Sequence, residues 1–400
     1  MIKGKDIVIV GLQPWDISIG SNCKNIAIEF SKFNRVLYVN APIDRKTKLF
    51  QSRDPNIKKR LDIAKSGKNL IQVSDNIWNL YPIQIIESIN WIPSTTIFKS
   101  LNKINNRRFG NEILKAIQKL SFIDYILFND SDMLRSFYLP EILAPSLSIY
   151  YSRDNLMSQP YFYKHGHVLE PQLMSKSDIV FANSEYLAKY ALRFNTNSFN
   201  IGQGCDLSVF HPYQKNIELP DIDNIKGPII GYIGAISSLR LDIPLLEKIC
   251  EERPDWNFVF IGGQDQPFLN SSLHDKKNVF FLGMKDVNLL PNYLAKFDLA
   301  INPQSLNPMT EGNYPRKIDE YLAMGKPVVA TSTLTMEIFK NHVYLGKTPG
   351  EFILLIEKGL IENSEKKKSE RISFANTHTW ENCIIRIYQI ISDLFPNVLI

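Results

Sequence analysis

Four hundred residues exceed what one ordinary hydrophobic core organises, so the chain is expected to form two domains of about 150–200 residues each. Apolar residues at 44% and charged residues at 22% describe a globular chain, and no run reaches the roughly 18 uninterrupted apolar residues of a membrane-spanning helix. The net charge of +5 is lopsided, with the excess base in residues 1–210, between Arg45 and Lys68 and between Lys99 and Lys119; this describes either a solvated face or one that meets anionic lipid or an anionic acceptor, and no nucleic-acid partner is expected.

The start, MIKGKDIVIVG, passes from a short basic stretch straight into a strand-like run. It lacks the longer apolar segment and small-residue cleavage site of a secretory signal, so a cytoplasmic chain is expected, peripheral to the inner face of the membrane if the basic surface meets lipid. Ile7–Val10 is a short apolar run closed by Gly11, Asn22–Phe33 reads as a helix, and Val36–Val39 as a buried strand. Thr96–Leu120 interleaves Ile97, Leu101, Ile104 and Ile113 with Lys99, Lys103, Arg107 and Arg108. That pattern fits an interfacial amphipathic helix and equally a helix packed on its own domain. Tyr125–Phe128, Leu147–Tyr151 and Ile179–Ala182 read as strands, followed by a helix from Ser184 to Arg193. Cys205–Lys226 loses periodicity and carries His211-Pro212 and Pro220, the marks of a connector.

The alternation then restarts. Ile229–Ile233, Phe258–Ile261, Val279–Leu282, Leu299–Asn302 and Pro327–Ala330 are expected strands, with helices at Ile243–Glu252, Asn288–Lys296 and Ile318–Met324 between them and a last helix at Thr379–Leu394. Short apolar runs separated by helices predict parallel sheets covered on both faces. The expected fold class is therefore α/β, with two doubly wound, Rossmann-like domains. Their expected bounds are 1–210, a linker at 211–228, 229–375, and a closing stretch at 376–400 that returns to the first domain. Cys23, Cys205, Cys250 and Cys383 lie far apart with no CxxC pair, so reduced thiols and no zinc site are expected.

The sharpest motif is Asn313-Tyr-Pro-Arg-Lys-Ile-Asp-Glu-Tyr-Leu-Ala-Met-Gly-Lys-Pro-Val-Val-Ala-Thr331. It resembles the donor-site motif of family 4 and related bacterial glycosyltransferases, Pro-x-Lys-x-x-Glu-Tyr-Leu-Ala-x-Gly-Lys-Pro-Val-Val, at every named position. Gly231-Tyr-Ile-Gly-Ala235, Phe258–Gly263, Phe281-Leu-Gly-Met284 and Asp298–Pro303 are similar to other stretches of that donor domain. The resemblance implies a GT-B fold, two Rossmann-like domains facing a cleft. It also implies transfer of a sugar from a nucleoside diphosphate sugar to a glycan or lipid-linked acceptor in cell-surface polysaccharide synthesis, with retention of configuration. On that reading Gly234, Arg240, Gly262, Met284, Lys285, Asn302, Pro315, Arg316, Lys317 and Glu320 form the donor side, with Glu320 on the ribose hydroxyls. Pro315 suits a helix start, and Arg316 and Lys317 put cationic charge at an end where it opposes the helix dipole unless an anion binds there. The bland alternative is an ordinary Arg316–Glu320 surface pair one turn apart.

Departures from the family pattern matter as well. Relatives carry a first glutamate with seven residues between it and the second. Here that position is Gly312 and Glu311 stands one residue short, so either the loop shifts or backbone amides at Gly312-Asn313 do its work. Where relatives place a diphosphate-neutralising Arg this chain has Ala235, leaving Arg240, Arg316 and Lys317; Arg240 reads equally as a surface residue. On the acceptor side, the loop after the first strand offers Gly11, Trp15, Asp16 and Gly20, with Trp15 either stacking on a sugar or plugging the loop onto the core. Arg153 and Asp154 follow a later strand and, with Glu311, are the candidate catalytic residues; Asp154 as a helix N-cap is the plain alternative. His165 and His167 suggest a mobile loop that reaches the acceptor more than a metal site, since no further ligands accompany them. No cofactor and no metal are expected, cationic side chains and helix dipoles meeting the diphosphate instead. Two rivals remain: a nucleotide-sugar epimerase of the same fold, and a non-catalytic nucleotide-sugar-binding scaffold.

Overall fold

A computed structural model describes residues 2–16, 21–212 and 217–399. The chain divides into two compact units, one of Met1–Gly202 with Trp380–Ile400 and one of Gln203–Thr379.

The first unit is built on strands β1 (Asp6–Gly11), β2 (Arg35–Val39), β3 (Leu70–Ser74), β4 (Ile77–Leu80), β5 (Ile126–Asp130), β6 (Leu147–Ser152), β7 (Ile179–Ala182) and β8 (Ser198–Asn200). They form one sheet in the order β3-β4-β2-β1-β5-β6-β7-β8. Every neighbouring pair is parallel except the β3–β4 hairpin at the edge. Along β1, β5 and β6 every residue is buried, because helices cover both faces and alternation has no solvent side to address. One of those helices is the last: Trp380–Leu394 places Trp380, Cys383, Ile384, Ile387, Tyr388 and Ile391 in the same core as Ile7, Ile9 and Phe30. Their spacing of three and four residues makes a single apolar stripe. The Tyr388 hydroxyl accepts from Asn34 Nδ2 at 2.8 Å.

The second unit carries β9 (Ile229–Ile233), β10 (Asn257–Ile261), β11 (Val279–Gly283), β12 (Leu299–Asn302), β13 (Val328–Thr331) and β14 (Tyr344–Gly346), all parallel, in the order β11-β10-β9-β12-β13-β14. The segment read as a linker is partly core here. Phe210, Leu219 and Ile222 pack with Val259, Phe297 and Tyr321, and Pro220–Asp223 forms a short helix. Apolar residues scattered among prolines gave no period, yet each found a place against the sheet, so the boundary falls at Gly202–Gln203 rather than at 210.

Candidate functional site

In both sheets the chain winds outward in one direction, returns, and winds outward in the other. The reversals lie between β1 and β5 in the first unit and between β9 and β12 in the second. Side chains at the carboxyl ends of those strands are where an open parallel sheet receives ligands.

In the second unit, β9 runs into Gly234 with φ of +140° and β10 into Gly262 with φ of +151°. A Cβ on Gly262 would stand 1.9 Å from the Gly234 carbonyl oxygen, so only glycine permits this approach of the two turns. Lys317, at the start of helix Lys317–Ala323, reaches the same place. Its Nζ donates to the Tyr232 hydroxyl, lies 3.9 Å from the centre of that ring, and would be 2.8 Å from a Cβ on Gly234. The helix is fastened to β9 by Tyr321, whose hydroxyl accepts from the Ile233 N–H at 2.8 Å and donates to the Ile233 carbonyl at 3.2 Å. Pro315 precedes the helix, and its carbonyl accepts from the Ile318 N–H at 2.9 Å. Arg316 stands 3.9 Å from Glu320. Burial raises the Glu320 carboxyl above its usual range, against the pull of Arg316 and Lys317. Asn302, at the end of β12, is buried with its amide 3.5 Å from Gln304.

Other donor-side expectations land elsewhere. Lys285 is held by Asp221 at 2.6 Å, beside the Tyr293 ring, and Met284 is 82% exposed. The Arg240 side chain is exposed, its backbone tying Ser237 to Ser305. Glu311 is exposed on the short helix Pro308–Gly312, whose start is capped by Asn307 and Thr310.

In the first unit, Gly11 ends β1 so close to its neighbours that a Cβ would come 3.0 Å from both Cys23 Sγ and Asp130 Cβ. Asp130 closes β5 and is fully buried. It receives Arg153 Nε at 2.7 Å, and Arg153 Nη1 donates to Asp154 at 2.7 Å. Burial pushes the Asp130 carboxyl up against the opposing pull of Arg153, while the two carboxylates keep Arg153 protonated despite its burial. Asp154 is thereby aimed by an arginine, and the short helix Leu156–Ser158 takes Asn155, not Asp154, at its N-cap. Trp15 packs edge-on against Tyr38 at 5.1 Å, its backbone N–H donates to Asn40 Oδ1, and Lys24 lies over its ring, which favours the plug. Asp16 pairs with Lys59 at 3.1 Å. Gly20 lies outside the described residues.

The two histidines are a correction. They sit on helix Pro160–Lys176, not on a loop, and residues two apart on a helix point to different sides. His165 is buried, stacked on Phe98 at 4.0 Å, and burial lowers its pKa. His167 is exposed and stacks on Tyr163.

Sequence reasoning passed over Asp130, Tyr232, Tyr321 and Asp319. It also passed over two Asp-x-Asp pairs, Asp130-Ser-Asp132 and Asp221-Ile-Asp223. All four carboxylates are engaged by cations: Arg153, Arg135, Lys285 and Lys296. Among the described residues no three His, Cys, Asp or Glu side chains group as metal ligands would, and no helix is long and apolar enough to cross a membrane.

Comparison with known proteins bears on the family and the fold. Residues 227–359 match the family described as Glycosyl transferases group 1. The Bacillus subtilis (strain 168) protein TuaH, which bears the name of a teichuronic acid biosynthesis glycosyltransferase, is 28% identical over 247 residues. That alignment spans 58% of this chain and 61% of TuaH, about three-fifths of the relative's length. Among solved structures, sucrose-phosphate synthase from Thermosynechococcus elongatus is similar at a TM-score of 0.65 and 14% identity, covering 99% of this chain and 100% of its own. HepE from Anabaena, solved in complex with UDP, matches at 0.64 and 14%, covering 97% and 100%. An Escherichia coli trehalose-6-phosphate protein bound with UDP-2-fluoro glucose matches at 0.66 and 9%, covering 98% and 99%. The fold is thus GT-B, α/β with two Rossmann-like parallel-sheet domains.

Proposed function

We propose that this chain, whose residues 227–359 are a group 1 glycosyltransferase domain, moves a sugar from a nucleoside diphosphate sugar to a hydroxyl of a glycan or lipid-linked acceptor in cell-surface polysaccharide synthesis. The observation that carries the reading is the joining of Lys317 to the Gly234 turn at the switch point of the second sheet, with Glu320 one turn along the same helix. A diphosphate needs cationic charge and close backbone approach, and both are supplied there. Glu320, half-buried and one turn from Arg316, suits ribose hydroxyls, which donate to a carboxylate. In the reaction the acceptor oxygen bonds to the anomeric carbon, the bond from that carbon to the diphosphate oxygen breaks, and the acceptor proton is released. Negative charge grows on the leaving diphosphate, so a fixed ammonium lowers the barrier more than it tightens the ground state. Asp154, aimed by Arg153, serves the acceptor or the reacting sugar, and Glu311 or the amides beside it serve the transferred sugar. The retaining outcome and independence from metal belong to this reading, as does peripheral contact with anionic lipid by the basic first unit.

The test is turnover of UDP-, GDP- and ADP-sugars with and without a membrane-glycan extract. Nucleoside diphosphate released only with extract supports transfer. A new nucleotide sugar formed without extract would assign the epimerase reading instead, and tight nucleotide-sugar binding with no turnover would assign the scaffold.

A further inference from the structure

Asp319 is the residue before Glu320, and its carboxylate is fully buried. His378 Nδ1 lies 2.6 Å from Oδ1, the Tyr314 hydroxyl donates to Oδ2 at 2.9 Å, and the Cys205 thiol donates to the same oxygen at 3.2 Å. Tyr314 and His378 also touch each other at 3.2 Å. These partners come from three separate stretches of chain. Tyr314 leads directly into Pro315, Arg316 and Lys317. Cys205 stands just inside the point where the chain enters the second unit at Gln203, and His378 just before it leaves at Thr379. The two crossing stretches run side by side: Cys205 and Thr379 form a parallel bridge, and the Cys205 N–H donates to the His378 carbonyl at 2.9 Å. One carboxylate therefore gathers both crossing stretches and the residue that sets the turn into the donor helix.

Burying a carboxylate is expensive unless its oxygens are bonded, and removing it orphans the donors it served. An apolar residue would pack this face of helix Lys317–Ala323 at less cost, as Ile318 and Leu322 do. What the carboxylate adds is direction, because hydrogen bonds fix angles that apolar contact leaves loose.

We propose that Asp319 is a positioning residue of the donor site. The proposal rests on the reading of Lys317 and Glu320 as donor contacts. Asp319 pins Tyr314, so that the turn preceding Lys317 holds one conformation, and it makes the two crossing stretches part of the same rigid piece as the donor helix.

Calorimetric titration with UDP, GDP and ADP first finds the nucleotide the parent holds most tightly. Glu320→Ala then tests the underlying reading: unchanged binding, or a parent that binds none of the three, overturns that reading and the proposal with it. With weaker binding in Glu320→Ala, Asp319→Asn and Tyr314→Phe are each expected to raise the dissociation constant about tenfold, measured well below the melting temperature where every variant is folded. Their double variant is expected to bind no worse than Asp319→Asn alone, since the Tyr314 bond is already lost. A merely structural role would lower melting temperature and leave the folded protein's affinity alone. Should Asp319→Asn fail to fold, Tyr314→Phe, Cys205→Ala and their double variant decide in its place. Affinity within about twofold of the parent for Tyr314→Phe, or losses that multiply independently when Tyr314→Phe is combined with Asp319→Asn, overturns the proposal.

Discussion

The ammonium of Lys317 is anchored at the Gly234 turn by the Tyr232 ring and hydroxyl. Lys317→Met keeps much of the aliphatic stem and removes the charge. It is expected to lower donor-saturated turnover about tenfold or more, equivalent to about 1.4 kcal/mol of barrier, while moving the melting temperature by only a few degrees. Turnover within about twofold of the parent would remove Lys317 from the leaving group. A different residue contributes a pH dependence to stability. Glu170 is buried in helix Pro160–Lys176, accepts from the Tyr150 hydroxyl at 2.7 Å, and is pushed up by burial to about 7 from an ordinary 4.5. Below the ordinary value both folded and unfolded chains hold the proton. Between the two values only the folded chain holds it, so stability falls as pH rises and the loss is complete above about 7. Glutamine cannot ionise and still accepts from Tyr150. Glu170→Gln should therefore raise stability at pH 8 by on the order of 2 kcal/mol and by much less at pH 5. An equal gain at both pH values, read by thermal melts, would contradict this.

Helix Thr95–Leu120 shows where a pattern leaves two answers and the structure gives a divided one. Phe98, Phe109, Ile113 and Ile117 are buried against the first unit, as a packed helix requires. Ile97, Leu101 and Ile104 stay exposed at 56%, 38% and 48%, with Lys103 and Arg107 exposed among them. If that face meets anionic lipid, the protein should co-sediment with anionic vesicles at low salt and be released as screening shortens the Debye length towards about 8 Å. The triple variant Ile97→Asp, Leu101→Asp, Ile104→Asp should not co-sediment, and equal retention on neutral vesicles would count against the lipid reading. The strands that later formed the sheet centres were legible because burial on both faces leaves runs such as Ile7-Val-Ile-Val with no polar interruption. The β3–β4 hairpin was not, since β3 sits at the edge and Gln72 and Val73 face solvent. Neither was the Asp130–Arg153 pair, because a contact across 23 residues has no local signature. The family motif at Asn313–Thr331, within the stretch that matches the group 1 glycosyl transferases, was legible because it is contiguous in sequence; the carboxylate inside it, Asp319, looked like any polar residue of a surface helix until its partners were in place.

At the scale of the whole chain, the first unit depends on a helix taken from the far end of the sequence. Ile387 is fully buried in a core shared with β1 and the first helix. Ile387→Ala should cost about 2–4 kcal/mol, and calorimetry should show that loss in the first unit while the nucleotide affinity proposed for the second is kept. A matching loss of nucleotide affinity would contradict the division into units. The same arrangement sets a timetable for synthesis. The second unit is continuous from Gln203 to Thr379, so it can close as soon as it leaves the ribosome, whereas the first must wait for Trp380–Leu394. At about 5–20 residues per second, the unit that is made first is left for roughly ten to thirty-five seconds with the apolar face around Ile7, Ile9 and Phe30 without its last covering helix. Translation speed through the second unit therefore governs how long that face is offered to chaperones and to neighbouring nascent chains.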